Sequence, residues 1–148
     1  EFISKIKALG YSVKLDTNGS FPDRLETLIN SGLIDKVAMD IKNSPSKYGE
    51  TAGVESFDMT PILRSIEILK NSGIDYEFRT TVVAELHKVS DFEEIGKMIE
   101  GAKGYFLQSF VDSGDLIGEG MSAMSEGELK ECLAAVQKYV PNAKIRGV

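Results

Sequence analysis

The chain has 148 residues, 42% of them hydrophobic, a length that suits one compact α/β unit and leaves little for a second domain. Its 17 Lys and Arg against 23 Asp and Glu give a net charge of −6, so it lacks the basic surface that releases counterions from a phosphate backbone, which argues against nucleic acid as a partner. No apolar run approaches the roughly 20 residues of a membrane-spanning helix, so no membrane partner and a soluble, cytoplasmic protein are expected. The single cysteine, Cys132, supplies neither an internal disulfide nor a cysteine-only metal site.

The first ten residues read as the latter half of an amphipathic helix, with Phe2, Ile3, Ile6 and Leu9 as its stripe and Gly10 where a helix C′ glycine belongs. With no initiator Met and no N-cap, the chain is expected to be a piece of something longer. Short extended segments then alternate with amphipathic helices, the rhythm of βαβ units. Residues 11–17 form the first predicted strand, and Asn18-Gly19 a turn. Pro22 opens a helix bearing Leu25, Leu28 and Ile29, which Gly32 ends. The second strand is predicted over 36–42. A Ser/Pro/Gly-rich connection runs to Gly53, and a helix carrying Ile62, Leu63, Ile66 and Leu69 stops at Gly73. Residues 76–83, rich in aromatic and β-branched types, form the third strand. Ser90 and Glu93 have the spacing of a capping box for the next helix. The fourth strand is predicted over 104–111, a mobile loop over 112–123, and a second capping box at Ser125 and Glu128 ahead of the last long helix. The tail over 143–148 adds a short fifth strand.

The functional signal lies in the strand faces. Side chains alternate across a strand, so Asp40 and Lys42 share a face with Ala38, while Val37, Met39 and Ile41 meet the helices. By the same rule Glu77, Arg79 and Thr81 stand together, as do Lys14 and Asp16. Lys14, Asp16, Asp40, Lys42, Glu77 and Arg79 sum to zero charge, and several sit near strand C-terminal ends, where parallel α/β folds bind ligands. Such charges cannot be buried unpaired at tolerable cost. A cleft carrying both signs of charge suits a zwitterionic small molecule; an open sheet with one wet face and surface ion pairs is the plainer alternative. No phosphate cradle of the G-x-x-x-x-G-K or G-x-G-x-x-G type occurs.

Leu15-Asp16-Thr17-Asn18-Gly19, Ala38-Met39-Asp40-Ile41-Lys42 and Phe78-Arg79-Thr80-Thr81-Val82-Val83, in register on consecutive strands, resemble the radical S-adenosylmethionine (SAM) activases of glycyl-radical enzymes. The likeness runs over nearly the whole chain. It is strongest to the anaerobic ribonucleoside-triphosphate reductase activating proteins, whose ends read like Ile145-Arg146-Gly147-Val148, and extends to pyruvate formate-lyase activating enzyme. The resemblance implies a partial (βα)6 TIM-like barrel of the radical SAM type, of which residues 1–148 are the C-terminal βα units with parallel strands. It implies an oxidoreductase in which a [4Fe-4S] cluster reductively cleaves SAM and the resulting radical takes hydrogen from a glycine of the partner, a glycyl-radical enzyme of the anaerobic ribonucleotide reductase or formate-lyase type. A flavodoxin or ferredoxin is the implied electron donor. Asp16 and Asp40 are then expected around the methionine end of the cofactor, with a monovalent cation between them. Lys42 is expected at its carboxylate, Arg79 on its ribose side, and Asn18 in the strand-end loop.

Two family features are missing from these residues: the Cys-x-x-x-Cys-x-x-Cys cluster motif and a Gly-Gly-Glu-Pro segment, both of which lie upstream of the matching part. The N-terminal cluster-binding strands are therefore expected to be absent, and this piece alone to be inactive, with no catalytic residue and no cluster ligand of its own. Leu107-Gln108-Ser109-Phe110 also places phenylalanine where formate-lyase activases carry a histidine, which favours the reductase-activating branch. His87, the only histidine, reads as structural, and Cys132 as a small core residue. The segment from Gly118 to Met121 reads as a plain loop rather than a partner contact. A non-catalytic barrel fragment that binds a small metabolite or a protein is the alternative function. An aldolase-type enzyme using Lys42 as an amine nucleophile is a third.

Overall fold

The computed structural model describes residues 1–111 and 120–147. Five parallel strands, β1 (Lys14–Thr17), β2 (Lys36–Asp40), β3 (Asp75–Val82), β4 (Tyr105–Ser109) and β5 (Lys144–Arg146), stand side by side in chain order. Sequential parallel strands need crossovers, and right-handed crossovers put every connecting helix on the same side of the sheet. Helices α2 (Pro22–Asn30), α4 (Thr60–Asn71), α5 (Val89–Met98) and α6 (Glu126–Gln137) fill that role, with α2 packed on α4 and α5 on α6.

Alternation along the strands then separates two faces. Val37, Met39, Tyr76, Phe78, Val82, Tyr105 and Leu107 are buried against Ile62, Ile66, Leu69, Phe92, Ile95, Leu129 and Val136 of the helices in one continuous core. The opposite face carries the charges. The expected α/β class with a parallel sheet is what the chain adopts.

Several boundaries differ from the sequence reading for local reasons. β1 begins at Lys14 rather than residue 11, because Tyr11 stands exposed before the ladder starts. The connection after β2 is more ordered than its Ser, Pro and Gly content suggests: it holds a 3₁₀ turn (Pro45–Lys47) and a short helix, α3 (Tyr48–Ala52). The fully buried Tyr48, packed on Phe57 at 5.0 Å between ring centroids, anchors it. The expected capping box at Ser90 and Glu93 is not the one used. Helix α5 starts two residues after His87, and the Asp91 carboxylate accepts from the Lys88 backbone N–H at 2.8 Å while pairing with Lys47. Of the box expected at Ser125 and Glu128, one half forms: Ser125 Oγ accepts from the Glu128 N–H, while the Glu128 carboxylate takes the Ser125 hydroxyl rather than the Ser125 backbone N–H. Of the loop expected over 112–123, residues 112–119 lie outside the described residues. Residues after it return to the sheet through an antiparallel bridge between Val83 and Ala123. Helix α1 (Phe2–Ala8) has no buried residue: Ile3 and Ile6 of its apolar stripe are half-buried, while Phe2 and Leu9 are exposed.

The turn after β1 depends on Gly19. Its φ is +76°, a left-handed conformation that costs other residues strain, and a Cβ there would collide with the Met39 side chain. Helix α4 fastens the turn from behind, as buried Ser65 Oγ donates to the Gly19 carbonyl at 2.7 Å. Gly19→Ala should lower the unfolding free energy by about 1–3 kcal/mol in urea denaturation; an unchanged midpoint would mean that the turn relaxes freely.

Candidate ligand site on the charged strand face

The charges of the exposed sheet face form two linked clusters. Parallel register sets Asp16 beside Ala38, Ala38 beside Glu77, and Asp40 beside Arg79. Arg79 is the hub of the upper cluster, nearer the strand C-terminal ends. Its Nε donates to Asp40 Oδ1 at 2.6 Å and its Nη2 to Asp16 Oδ2 at 3.0 Å. Lys42 Nζ lies 3.6 Å from the other oxygen of Asp40. Ala38, with only a methyl group, is fully buried beneath this layer and leaves room for the guanidinium to span neighbouring strands. The positive charge between Asp16 and Asp40 is thus Arg79 itself, and a monovalent cation there would have to share both carboxylates with it.

Glu77 is the hub of the lower cluster. It is 4% exposed and faces Arg146 at 3.1 Å, Lys36 at 3.2 Å and Lys14 at 3.7 Å. Burial by itself would raise its pKa, but the bonds to Arg146 and Lys36 outweigh that and hold the carboxyl below its ordinary value. Lys14 joins the clusters through Asp16 at 3.6 Å. Arg146 also stacks over Phe106, its guanidinium carbon 3.6 Å from the ring centroid. Lys36 and Arg146 were not singled out from sequence. The face rule finds Lys36, two residues before Ala38 on the same strand, whereas Arg146 needs the fifth strand placed in register.

Above the sheet, two cavities meet at Lys42. One of about 200 Å³ is lined by Asp40, Lys42, Thr51, Thr81, His87 and Met121. The other, about 360 Å³, lies among Asn18, Ser20, Lys42, Tyr48, Thr51 and Phe57. Thr51 and Tyr48 were missed because helix α3 was read as plain connection. Asn18 shapes its own loop, its Oδ1 accepting from the Ser20 N–H at 3.0 Å. The structure therefore gathers Asp16, Asn18, Asp40, Lys42 and Arg79 at one strand-end mouth, with both signs of charge partly exposed: the Arg79 side chain is 17% exposed, Asp40 35% and Lys42 43%.

The strand end that carries Lys42 is itself pinned. Past Asp40 the chain leaves the ladder, and its next carbonyls need other donors. Tyr48 Oη lies 3.4 Å from the Asp40 carbonyl, Thr80 Oγ1 donates to that of Ile41 at 2.7 Å, and His87 Nε2 is 2.9 Å from that of Lys42. Buried Tyr105 donates in turn to Thr80 Oγ1 at 2.6 Å. Burial pushes the Tyr48 phenol up to about 12, so it remains a donor throughout the physiological range.

Lys42 has the exposure and the Asp40 partner of an ion-pairing lysine, not the desolvated or cation-flanked setting that activates an amine nucleophile. The described residues also do not fit an iron-sulfur cluster. No three His, Cys, Asp or Glu side chains converge among them, and Cys132 is fully buried, its thiol pushed up to about 11 by that burial. Of the segment from Gly118 to Met121, Gly118 and Glu119 lie outside the described residues, while Met121 lines the smaller cavity.

The depressed Glu77 carboxyl has a definite consequence for stability. A group whose folded pKa lies below its unfolded value stabilises fully above the unfolded pKa, and that contribution is lost as pH falls through the folded one. Glu77→Gln should therefore lower stability near pH 7 by about 1–3 kcal/mol. The gap to wild type should close as urea melts are repeated at pH values falling below about 4.5, the ordinary carboxyl value. A gap that stays constant on acidification would show that charge pairing at Glu77 contributes nothing.

Comparison with known proteins bears on this geometry. No family model matches the chain. It is 33% identical over 147 residues to a curated Methanocaldococcus jannaschii protein named "Putative glycyl-radical enzyme activating enzyme", in a match that takes in 96% of this chain and 61% of that protein. The chain thus spans about three-fifths of that relative's length. Among solved structures it superposes on a domain of pyruvate-formate lyase-activating enzyme from Bacteroides vulgatus with a TM-score of 0.77 at 14% identity, covering 99% of this chain and 88% of the other. A radical SAM methyltransferase from Sphaerobacter thermophilus gives a TM-score of 0.77 at 10% identity, over 94% of this chain and 42% of that one. In sequence, then, the chain is related to a protein named as a glycyl-radical enzyme activating enzyme, and its fold matches a domain of a pyruvate-formate lyase-activating enzyme and part of a radical SAM methyltransferase.

Proposed function

We propose that residues 1–148 are the C-terminal part of a radical SAM barrel domain, and that the charged strand-end mouth holds the methionine end of SAM in an enzyme that activates a glycyl-radical enzyme. The observation that carries this is the Asp16–Arg79–Asp40–Lys42 constellation, in which Arg79 from the middle of β3 reaches carboxylates near the C-terminal ends of β1 and β2, in a chain related to a protein named for that activity. Two carboxylates and two cations match a zwitterion with a sulfonium nearby, and such a ligand can replace internal ion pairs with its own without stranding a charge.

In this reading Lys42 turns from Asp40 to the ligand carboxylate, Arg79 keeps Asp40 while presenting its remaining N–H groups to the ribose side, and Asp16 and Asp40 accept from ligand donors or hold a monovalent cation. Asn18 keeps the loop over the larger cavity. When bound, SAM would supply the radical chemistry directed at a glycine of the partner, and these residues would hold its methionine end and ribose. The contribution of these residues is binding, orientation and charge balance. Because they do not fit a cluster, its ligands would come from elsewhere in a longer protein, as would the docking surface for a flavodoxin or ferredoxin. The partner is a glycyl-radical enzyme, and Ile145-Arg146-Gly147 together with Phe110 favours the anaerobic ribonucleotide reductase branch.

Asp40→Ala and Lys42→Ala in the native protein should each weaken SAM binding by about tenfold in equilibrium dialysis, with the thermal midpoint little changed. Unchanged affinity in both variants would overturn the assignment and leave the face as a set of structural ion pairs.

A further inference from the structure

We infer that His87 is a positioning residue for Lys42, fixing through the backbone where the ammonium group can reach; this rests on the proposal that Lys42 meets a ligand carboxylate. His87 is 3% exposed and tilted against Phe92, with ring centroids 5.8 Å apart. Its Nδ1 lies 3.1 Å from the backbone N of Val83 and 3.2 Å from the Val83 carbonyl, whereas Nε2 faces the Lys42 carbonyl, which can only accept; the tautomer with its proton on Nε2 satisfies that carbonyl and lets Nδ1 accept from the Val83 N–H. That proton is donated to the Lys42 carbonyl at 2.9 Å, across 45 positions of sequence and from one strand end to its neighbour.

The next residue doubles the tie. Asn43 is fully buried, and its Nδ2 donates both to the Leu86 carbonyl at 3.0 Å and to Thr51 Oγ1 at 2.9 Å. Its Oδ1 accepts from the Ser44 N–H at 2.7 Å. The carbonyl of Lys42 and the side chain of Asn43 are thus both fastened to the turn that follows β3. The Lys42 stem starts from a fixed point at the junction of the two cavities, while its ammonium group remains partly exposed. The Val83 bond is local to the histidine's own turn. The Lys42 bond is the one that acts on the site.

The two bonds can be separated, because an asparagine amide falls near the Nδ1 position of histidine and a glutamine amide near Nε2. His87→Asn can keep the Val83 bond and lose the Lys42 bond; His87→Gln does the reverse. Isothermal titration of the native protein with SAM and with decarboxylated SAM reads the difference.

The expected result is that H87N weakens SAM about tenfold and the decarboxylated ligand less than about twofold, while H87Q stays within about threefold for both. K42M should show the same selective loss, and adding H87N to it should weaken SAM no further. If K42M discriminates between the ligands but H87N weakens both equally, or neither, the positioning role is overturned and the carboxylate assignment stands. If K42M does not discriminate, the carboxylate assignment fails and this inference with it. Should H87N not fold, H87Q decides: an unchanged ratio of the two affinities supports the role, and a collapsed ratio overturns it.

Discussion

A guanidinium held between two carboxylates on the open face of a parallel sheet is the constraint on which the site depends. Parallel sheets are ordinarily covered on both faces, so charges in their middle must be paired, hydrated or occupied by a ligand. Arg79 solves the first requirement by bonding Asp40 and Asp16 on successive strands, and the small side chain of Ala38 between them makes the span feasible. Because the pairs are only partly buried, they are individually weak and exchangeable. Exchangeability is what a ligand-binding face requires and what a purely structural salt bridge does not.

The two clusters divide the work along the strands. Glu77 sits deep toward the N-terminal half and is surrounded by cations that hold its charge in place. The constellation around Arg79 is nearer the strand ends and more open, and Lys42 stands above it between two cavities. Behind that open layer the backbone is fastened by buried donors: Tyr48, Thr80 and His87 serve successive carbonyls at the end of β2. Hydrogen-bonded backbone under partly exposed charged tips is an arrangement suited to orienting a flexible ligand at small entropic cost.

Much of this was legible in the residues. Period-two alternation placed Asp40 with Lys42 and Glu77 with Arg79 on the polar face, and the helix and strand order gave the parallel sheet. What escaped was set by tertiary contacts. Helix α3 forms because Tyr48 finds a buried slot against Phe57, which its Ser- and Gly-rich surroundings do not signal. The cap of α5 lies at Asp91, a carboxylate recruited by Lys47 of the 3₁₀ turn 44 positions earlier. His87 was rightly read as structural in its burial, but its bond to the Lys42 carbonyl joins residues that no local pattern connects. Arg146 reaches Glu77 only through strand order.

The most direct measurement is a crystal structure of the native protein with SAM bound. The methionine carboxylate should lie within hydrogen-bonding distance of Lys42 Nζ, with the Lys42–Asp40 contact given up and the ribose on the Arg79 side of the mouth. Ligand located away from the strand ends, with Arg79 and Lys42 still holding the same carboxylates, would contradict this placement and leave the charged face as a structural ion-pair network.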